Sequence, residues 1–493
     1  MGKLLIGWAE ESIVPEKRVM LAGQFYERIS EYVESDITVT AMAVEGDGAQ
    51  MIIASVDLVS VSEELLELAR QKFAAMTKEV SPEQMIVCAI HSHTSISYQK
   101  GGTVTQKILN EFLSEGRKYT ALVSSERDDV LTPEEAIQFL AEKIATVAKK
   151  AWDNREEALF ANAFGRAVVG HCRRVVYDDG SAKMWGDTNS ANFVEIEGGN
   201  DSGIELIYTF NKDEKLTGVV ANIACPAQVL EHRSFISSDY WGKVKQFLRE
   251  KFGDDLYLLA LCGAGGDQCP RDMIRWVNPE TPINDPHVKR EHYIEHKADP
   301  SMFDIKGCTL IGKRVANEII AVYEELDEPK AEAEFKHKVI HYDLPLRKAT
   351  PAEYEKAVRE IEYYVQKNKD KEVFNYEDNA AMYVYAGTIA RYRRQQTEET
   401  VPVEIHIVKL GNIAIATNPF ELFLDYGNRI KARSKAEQTF IIQLACGSRV
   451  YLPTAKAERG SHYSAYITSG HVGHEGGDML VRKSIAEIND MWK

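Results

Sequence analysis

The chain has 493 residues, of which 44% are hydrophobic, and its 75 acidic against 59 basic side chains give a formal net charge of −16. This negative charge argues against nucleic acid or an anionic membrane as a partner, because both bind a basic face. No stretch approaches the roughly 18 apolar residues of a membrane-spanning helix, and the N-terminus becomes acidic too early for a signal peptide. The seven cysteines form no CxxC pair. We therefore expect reduced thiols and a cytoplasmic protein. We also expect it to act on a small molecule and to insert into no membrane, and the sequence is compatible with a homo-oligomer.

The N-terminal part of the chain predicts strands followed by a helix. Apolar and alternating runs at 4–9, 38–44 and 51–61 indicate strands, and Glu45-Gly46-Asp47-Gly48 is typical of a hairpin turn. A helix is predicted over 62–76. The apolar run at 85–90 indicates a buried strand, and the polar stretch 101–129 indicates a surface excursion.

Strands and helices then alternate to the end of the chain. Thr132 and Pro133 are typical of a helix start, and that helix is predicted to run to about Trp152. Further strands are predicted at 159–169, 204–210, 216–223, 256–261, 403–417 and 440–444. Further helices are predicted at 239–252, at 311–326 and from 479 onward, and the long charged segment 351–398 is predicted to form one or two helices. No repeat or linker divides the chain. The pattern predicts an α/β fold, with mixed β-sheets and surrounding helices in a single large domain.

Two histidines directly follow the predicted strand at 85–90. Residues i and i+2 of an extended segment share a face, so His91 and His93 should point the same way. Two imidazoles held together on a rigid element can form half of a metal site. The alternative is that both are simply hydrogen-bonded polar residues at a strand end.

The remaining histidines fall into two groups by context. Those in charged or alternating surroundings are predicted to be surface residues: His287, His292, His296, His337, His341 and His406. Those in Gly-rich or strand-end contexts stay candidates for a site: His171, His232, His462, His471 and His474. The turn 263–267 lacks the spacing and the lysine of a phosphate-binding loop, so we interpret it as a tight turn whose Asp267 holds a neighbouring loop.

A series of short motifs resembles, in its order along the chain, the neutral (non-lysosomal) ceramidase family. The motifs are Ser12-Ile13-Val14-Pro15, Leu21-Ala22-Gly23, His91-Ser92-His93-Thr94, Cys172-Arg173, Ile236-Ser237-Ser238-Asp239-Tyr240, Gly266-Asp267, Asn418-Pro419-Phe420-Glu421 and Tyr451-Leu452-Pro453-Thr454. The resemblance spans most of the chain. It implies one ceramidase-like catalytic domain over 1–493, with a helical insertion at about 351–398 and without a C-terminal β-sandwich domain.

The resemblance also implies a zinc site. His91, Glu421 and Tyr451 would be zinc ligands. His93 and Arg173 would be catalytic residues that contact the substrate carbonyl or its developing oxyanion. These roles agree with general chemistry, because a hydrolytic zinc site needs about three protein ligands and one open position for water, and a cation stabilises an oxyanion.

One motif departs from the family pattern. The family's remaining histidine ligand stands in an Ala-Cys-His-Pro context, where this chain has Ala224-Cys225-Pro226-Ala227. Because proline cannot bind a metal, we predict that His232, in the same loop, is the replacement ligand. The alternatives are His471 or His474 from the C-terminal loop, or an incomplete and inactive site.

The sequence thus favours a zinc-dependent hydrolase that cleaves an amide, most simply an N-acyl bond of a small polar or sugar-like molecule. A compact acidic protein is poorly suited to extracting ceramide from a membrane. Two alternatives stay open. One is a metal-dependent carbohydrate-active enzyme that cleaves or isomerises its substrate on the same scaffold, and the other is a metal-free binding protein.

Overall fold

The computed structural model describes residues 2–99, 104–119, 127–275 and 304–493. Three of the predicted surface histidines, His287, His292 and His296, lie outside the described residues, as does part of the predicted excursion at 101–129. The part of that excursion that is described contains a helix, Val104–Glu111. The prediction of an irregular segment was therefore wrong there.

An eight-stranded mixed sheet, which we call the large sheet, forms the centre of the fold. Its strands are, in spatial order, Tyr257–Cys262, Leu216–Ile223, Gly203–Asn211, Glu156–Arg166, Leu5–Ser12, Thr38–Gly46, Ala49–Val56 and Met85–Ala89. The outermost pair at each edge is parallel and the other neighbours are antiparallel. The predicted hairpin turn at 45–48 joins two of these strands.

A four-stranded mixed sheet, the small sheet, packs face to face on the large sheet. Its strands are, in spatial order, Phe335–Pro345, Thr400–Leu410, Ile413–Thr417 and Gln438–Ile442. The prediction of one strand over 403–417 was wrong in this detail, because a turn divides it into two antiparallel strands. Apolar side chains of both sheets meet in one buried core, as is usual when two sheets stack.

Ten α-helices lie among the described residues, and several of them cover the outer faces of the two sheets. They are Glu63–Met76, Val104–Glu111, Pro133–Asp153, Asp239–Phe252, Ile305–Tyr323, Pro351–Lys367, Tyr376–Arg394, Leu424–Arg433, Ala455–Gly460 and His474–Asp490. Two short 3₁₀ helices are Pro82–Gln84 and Ile467–Ser469. The result is a four-layer helix–sheet–sheet–helix arrangement, which confirms the predicted α/β class with mixed sheets.

Short two- and three-stranded pieces complete the fold. They are Gly2–Lys3 with Glu332–Ala333, Arg174–Tyr177 with Ala182–Met184 and Phe193–Ile196, His171–Cys172 with Gln268–Cys269, Lys118–Tyr119 with Val373–Phe374, and Glu421–Leu422 with Tyr451–Leu452. All seven cysteines are buried and free, as the sequence predicted. Within the described ranges, none of the helices combines the length and apolarity that crossing a bilayer requires.

The segment predicted as an insertion at 351–398 forms a helical hairpin. Both helices begin with a capping box, Thr350 with Glu353 and Asn375 with Asp378, which satisfies their first backbone N–H groups. The hairpin packs on the helix Val104–Glu111 and on the 3₁₀ turn Ile467–Ser469 of the C-terminal loop. The hairpin therefore lies beside that loop.

Candidate functional site

The site lies where parallel strands of both sheets end. His91 follows Met85–Ala89, and the loop 224–233 follows Leu216–Ile223. In the small sheet, the segment with Glu421 follows Ile413–Thr417 and the segment with Tyr451 follows Gln438–Ile442. Loops at the carboxyl ends of parallel strands are free to present polar side chains, which is why open α/β sheets carry their sites there.

His91 and His93 do point the same way, as predicted. Their ring centroids lie 4.8 Å apart at an angle of 74°, while the hydroxyls of Ser92 and Thr94 donate to the carbonyl of Ser237 on the other side. The strand has already ended, however, and His91 has a φ of 67°. A left-handed conformation at a non-glycine residue costs free energy and is characteristic of functional sites.

The His91 ring has one defined tautomer. Its Nδ1 lies 2.7 Å from the carbonyl oxygen of Val59, which can only accept, so Nδ1 carries the hydrogen. Burial lowers the pKa of His91, which keeps the ring neutral and its Nε2 lone pair unprotonated. That nitrogen lies 3.5 Å from Oε2 of Glu421, so a nitrogen and a carboxylate donor face each other across a short gap.

Glu421 and Tyr451 are brought together by backbone pairing. They are register partners in a short parallel bridge, and both are buried, at 8% and 5% exposure. Gly266 lies against this bridge, since a Cβ there would come within 2.3 Å of the Glu421 carbonyl oxygen. The turn 263–267 therefore needs glycine at this position for packing, as the tight-turn interpretation expects.

Arg173 is a buried cation that contacts both Tyr451 and the turn at Gly266. It is 2% exposed, and its guanidinium donates to the Tyr451 hydroxyl at 3.3 Å, the Gly266 carbonyl at 3.1 Å and Oε1 of Gln228 at 3.3 Å. Its backbone N–H donates to the carbonyl of Asp267. The Arg173 Nε has no hydrogen-bond partner, so the buried cation retains a donor in this site.

A buried carboxylate that the sequence analysis missed, Glu231, lies beside the second histidine. Its Oε2 is 3.5 Å from Nδ1 of His93 and accepts from the Gln228 amide at 3.3 Å. Burial raises the pKa of Glu231 to about 7. Burial also lowers the pKa of His93 well below its usual value, and neither ring nitrogen of His93 makes a hydrogen bond.

Two aspartates hold the loops that carry these side chains. Asp239 accepts the Leu230 N–H at 2.8 Å and so fixes the loop that contains Glu231. Asp267 accepts the Leu424 N–H at 2.9 Å and so fixes the segment after Glu421. The prediction that Asp267 holds a neighbouring loop is confirmed.

The position of His232 differs from that of the other predicted ligands. Its Nε2 lies 3.5 Å from Oε1 of Glu231, and its Nδ1 lies 3.3 Å from the Tyr26 hydroxyl. Among the described residues, His91, Glu421 and His232 do not form a group of three converging donor atoms. The assignment of His232 as a ligand stays a prediction, and Glu231 lies between it and His93.

Two of the C-terminal histidines have other partners, whereas the buried Nδ1 of His471 makes no hydrogen bond. Nδ1 of His474 lies 2.7 Å from the Glu458 carboxylate, and Nδ1 of His462 accepts the Met184 N–H at 3.2 Å. Tyr463, from the same loop, does reach the site, since its ring lies 5.5 Å from that of Tyr451. No motif in the sequence marked Tyr463, because a C-terminal loop can be placed only by its tertiary contacts.

A cavity of about 610 Å³ adjoins the site. It is larger than a cavity of about 470 Å³ that lies away from the site, against Arg70 and Cys446. The helical hairpin lines this larger cavity on one side and the C-terminal loop lines it on the other, and Tyr463 belongs to both its wall and the site. Charged side chains in the wall are Arg347, Glu353, Lys356 and Glu458. The cavity therefore suits a polar ligand better than a long hydrocarbon chain.

The fold has counterparts among solved structures. The neutral ceramidase from Pseudomonas aeruginosa matches with a TM-score of 0.66 at 13% identity, over 99% of this chain and 75% of that chain. The chain has the neutral ceramidase fold. A ceramidase complexed with C2 matches with a TM-score of 0.65 at 11% identity, over 98% of this chain and 74% of the other. No protein-family model and no curated protein sequence matches the chain, so its chemistry must be argued from its own residues.

The donors in this ceramidase-fold site fit a zinc ion. A neutral imidazole nitrogen, a carboxylate and a phenol are all ligand types that such an ion accepts. The 3.5 Å between His91 Nε2 and Glu421 Oε2 is close to the roughly 3.3 Å that separates two donors of a tetrahedral zinc ion. The unpaired ring nitrogens of His93 supply a further buried polar group at the same place.

Proposed function

We propose that the chain is a zinc-dependent hydrolase that cleaves an amide, an N-acyl bond of a small polar or sugar-like substrate. One observation carries the proposal: the unprotonated Nε2 of His91 faces the Glu421 carboxylate at 3.5 Å, and the buried Arg173 binds Tyr451, the register partner of Glu421. A nitrogen donor, oxygen donors and a fixed cation thus surround one point, as metal-assisted acyl transfer requires.

His91, Glu421 and Tyr451 would hold the ion, with His232 as the predicted further ligand. When bound, zinc supplies a Lewis acid that polarises a carbonyl and makes water more acidic. The protein's own part is to fix these donors. The Val59 carbonyl sets the His91 tautomer, and the parallel bridge sets Glu421 against Tyr451.

Arg173 is suited to stabilise the negative charge that develops on the substrate carbonyl oxygen. Its guanidinium is held by three acceptors in a buried setting, so little reorganisation is needed when that charge appears. Preorganised donors of this kind are commonly the largest single contribution to acyl-transfer catalysis.

His93 and Glu231 can move the proton that the leaving amine needs. His93 Nδ1 and Glu231 Oε2 lie 3.5 Å apart, and burial brings the pKa of Glu231 to about 7. A carboxyl group that titrates near neutral pH can both accept and return a proton. His93 would contact the substrate, and Glu231, 3.5 Å away, would exchange the proton with it.

The polar substrate is argued from the cavity of about 610 Å³ next to Tyr463. Its wall combines tyrosine rings with Arg347, Lys356 and Glu458, which can hydrogen-bond hydroxyl or carboxylate groups of a substrate. A long acyl chain would remove water from these charged groups, at a cost in binding free energy.

The proposal is tested by product analysis. Purified protein is incubated with N-acetylated amino sugars, N-acyl amino acids and ceramide in detergent micelles, with and without prior chelation. We expect stoichiometric release of a carboxylate and an amine from at least one polar compound, loss of the reaction after chelation, and recovery with zinc. Cleavage of a glycosidic bond instead, or no turnover by zinc-loaded protein across the panel, would contradict it.

The role of His93 predicts the effect of Gly23→Ala. Gly23 has a φ of 90°, and a Cβ there would come within 2.5 Å of the His93 ring. Displacing the ring should lower kcat/KM by about 10²-fold, since misplacement of a reacting group by about 1 Å has that effect. Gly48→Ala is the matched control, because Gly48 also has a positive φ, 79°, with nothing within 4 Å of its Cβ position. Equal activity losses in the two variants would argue against a positioned His93.

The buried state of Glu231 predicts a pH effect on stability. Between pH 4.5 and about 7 the native metal-free protein keeps a proton that the unfolded chain releases, because burial raises the pKa of Glu231 to about 7. Stability should therefore fall as pH rises through this window, by up to about 3 kcal/mol. Glu231→Gln should lose this part of the pH dependence in urea unfolding at pH 5 and pH 8. Glu355→Gln, at an exposed position, is the control. If Glu231→Gln keeps the same pH dependence of stability as the wild type, the elevated pKa does not belong to Glu231.

A further inference from the structure

A second group of metal-capable side chains lies in the small sheet. The donor atoms of Glu404, His406 and Cys446 all lie within 4.8 Å of one another, and we call these residues the Glu–His–Cys cluster. Glu404 and His406 are on the strand Thr400–Leu410, and Cys446 follows Gln438–Ile442. None of them belongs to the proposed hydrolytic site. The prediction that His406 and His337 are surface residues was wrong, because His406 is fully buried and His337 is half-buried against it.

A relay of hydrogen bonds defines the His406 tautomer. His337 Nδ1 lies 2.9 Å from the Gln50 carbonyl oxygen, so Nδ1 carries the hydrogen. In the neutral ring of His337, Nε2 is then the unprotonated nitrogen. Because this nitrogen lies 2.8 Å from Nδ1 of His406, the latter must carry the hydrogen and donate it. A partner that fixes the far ring nitrogen in this way is typical of histidines that bind metals.

The other nitrogen of His406 is left facing two anionic donors. Its Nε2 lies 2.8 Å from Oε1 of Glu404 and 3.4 Å from Sγ of Cys446. A lone pair this close to a carboxylate oxygen is repelled unless a cation, either a proton or a metal ion, lies between them.

We propose that the Glu–His–Cys cluster is a second metal site, which binds a zinc-class ion through His406 Nε2, the Cys446 thiolate and one Glu404 oxygen. The observed nitrogen-to-sulfur distance of 3.4 Å is close to the roughly 3.5 Å between such ligands of a tetrahedral zinc ion. The 2.8 Å between His406 Nε2 and Glu404 Oε1 is that of a hydrogen bond, and it would widen by about 0.5 Å when a metal ion replaces the proton. Mixed nitrogen, sulfur and oxygen donors select zinc over magnesium or calcium. On binding, Cys446 releases its proton to solvent and the sulfur forms the bond to the metal.

The surroundings supply a counter-charge and an open position. Arg70 donates to both oxygens of Glu404, at 2.7 and 2.9 Å, and its positive charge partly balances the two anionic ligands. Glu404 and Cys446 also line the cavity of about 470 Å³. A fourth ligand, water or a small anion, can reach the metal from there, as in zinc sites that exchange a ligand.

Cobalt substitution tests the proposal, because only a thiolate ligand gives a sulfur-to-cobalt charge-transfer band. The chelated, reduced full-length protein is titrated with Co²⁺ and followed in the near ultraviolet. We expect the band in wild type, in His91→Ala and in Cys308→Ser, the last a matched change at another buried cysteine. We expect it to be absent in Cys446→Ser and His406→Ala. Failure of the proposed hydrolysis would leave these results unchanged.

A second readout does not depend on variants. Zinc should slow alkylation of Cys446 by iodoacetamide at least tenfold, as measured by mass spectrometry of the wild-type chain, and should leave the rate at Cys308 unchanged. No charge-transfer band in wild type at saturating Co²⁺, a band that persists in Cys446→Ser, or equal alkylation rates with and without zinc would each overturn the proposal. Those outcomes would instead identify the cluster as a protonated histidine–carboxylate ion pair.

Discussion

Replacing His91 with alanine is expected to abolish amide hydrolysis and to remove the zinc ion from the hydrolytic site. The variant loses the one nitrogen donor that faces Glu421 at 3.5 Å. Loss of a Lewis acid worth several kcal/mol of transition-state stabilisation lowers kcat by at least about 10³-fold. Zinc content by mass spectrometry and turnover of the substrate found above measure the two effects together.

The control for this experiment is His474→Ala. His474 is also a histidine with a carboxylate partner, since its Nδ1 lies 2.7 Å from Glu458, but it has no contact with His91 or Glu421. It should keep wild-type zinc content and activity. An active His91→Ala variant with unchanged zinc content would show that the ion, if present, lies elsewhere.

Replacing Arg173 with lysine is expected to lower kcat by about 10²–10³-fold with little change in KM, as for loss of one oxyanion donor. Lysine keeps the charge but not the planar fork of donors, and that fork makes the contacts to Tyr451, Gly266 and Gln228. Steady-state kinetics and thermal unfolding of the same samples separate a catalytic loss from a folding defect.

The control for this change is Arg155→Lys, at a partly buried arginine elsewhere, which bonds Glu45 and stacks on Trp152. It should lose some stability but keep kcat. If the two variants lose activity in proportion to their losses of stability, Arg173 has only a structural role.

The fold could be predicted largely because its strands and helices carry local signals. Thr132 and Pro133 predicted a helix start, and the structure has a capping box there with Glu135. The apolar run before His91 predicted a buried strand, and Met85–Ala89 is one. The order of the strands across the two sheets had no such signal, because pairing between distant segments leaves no periodicity in either of them.

His406 was wrongly predicted to lie at the surface because the pairing of distant strands leaves no local signal in the sequence. Alternation along 403–417 predicted one face in solvent, as for a strand of a half-exposed sheet. In the structure Thr400–Leu410 pairs on both sides, with Phe335–Pro345 and Ile413–Thr417. The tertiary packing around this central strand buries His406 completely.

The site was only partly predictable for a related reason. Motifs marked His91, Arg173, Glu421 and Tyr451, and the structure brings these residues together. Glu231 was hidden beside His232, since only the conformation of the loop held by Asp239 shows which of the two side chains faces His93.

The most direct test of the account is the anomalous diffraction of a crystal of the zinc-loaded protein, recorded at the zinc absorption edge. The account predicts a peak between Nε2 of His91 and Oε2 of Glu421, within about 2.3 Å of both atoms. A fully loaded crystal with no anomalous peak between these two atoms would contradict it, whatever is found beside Cys446.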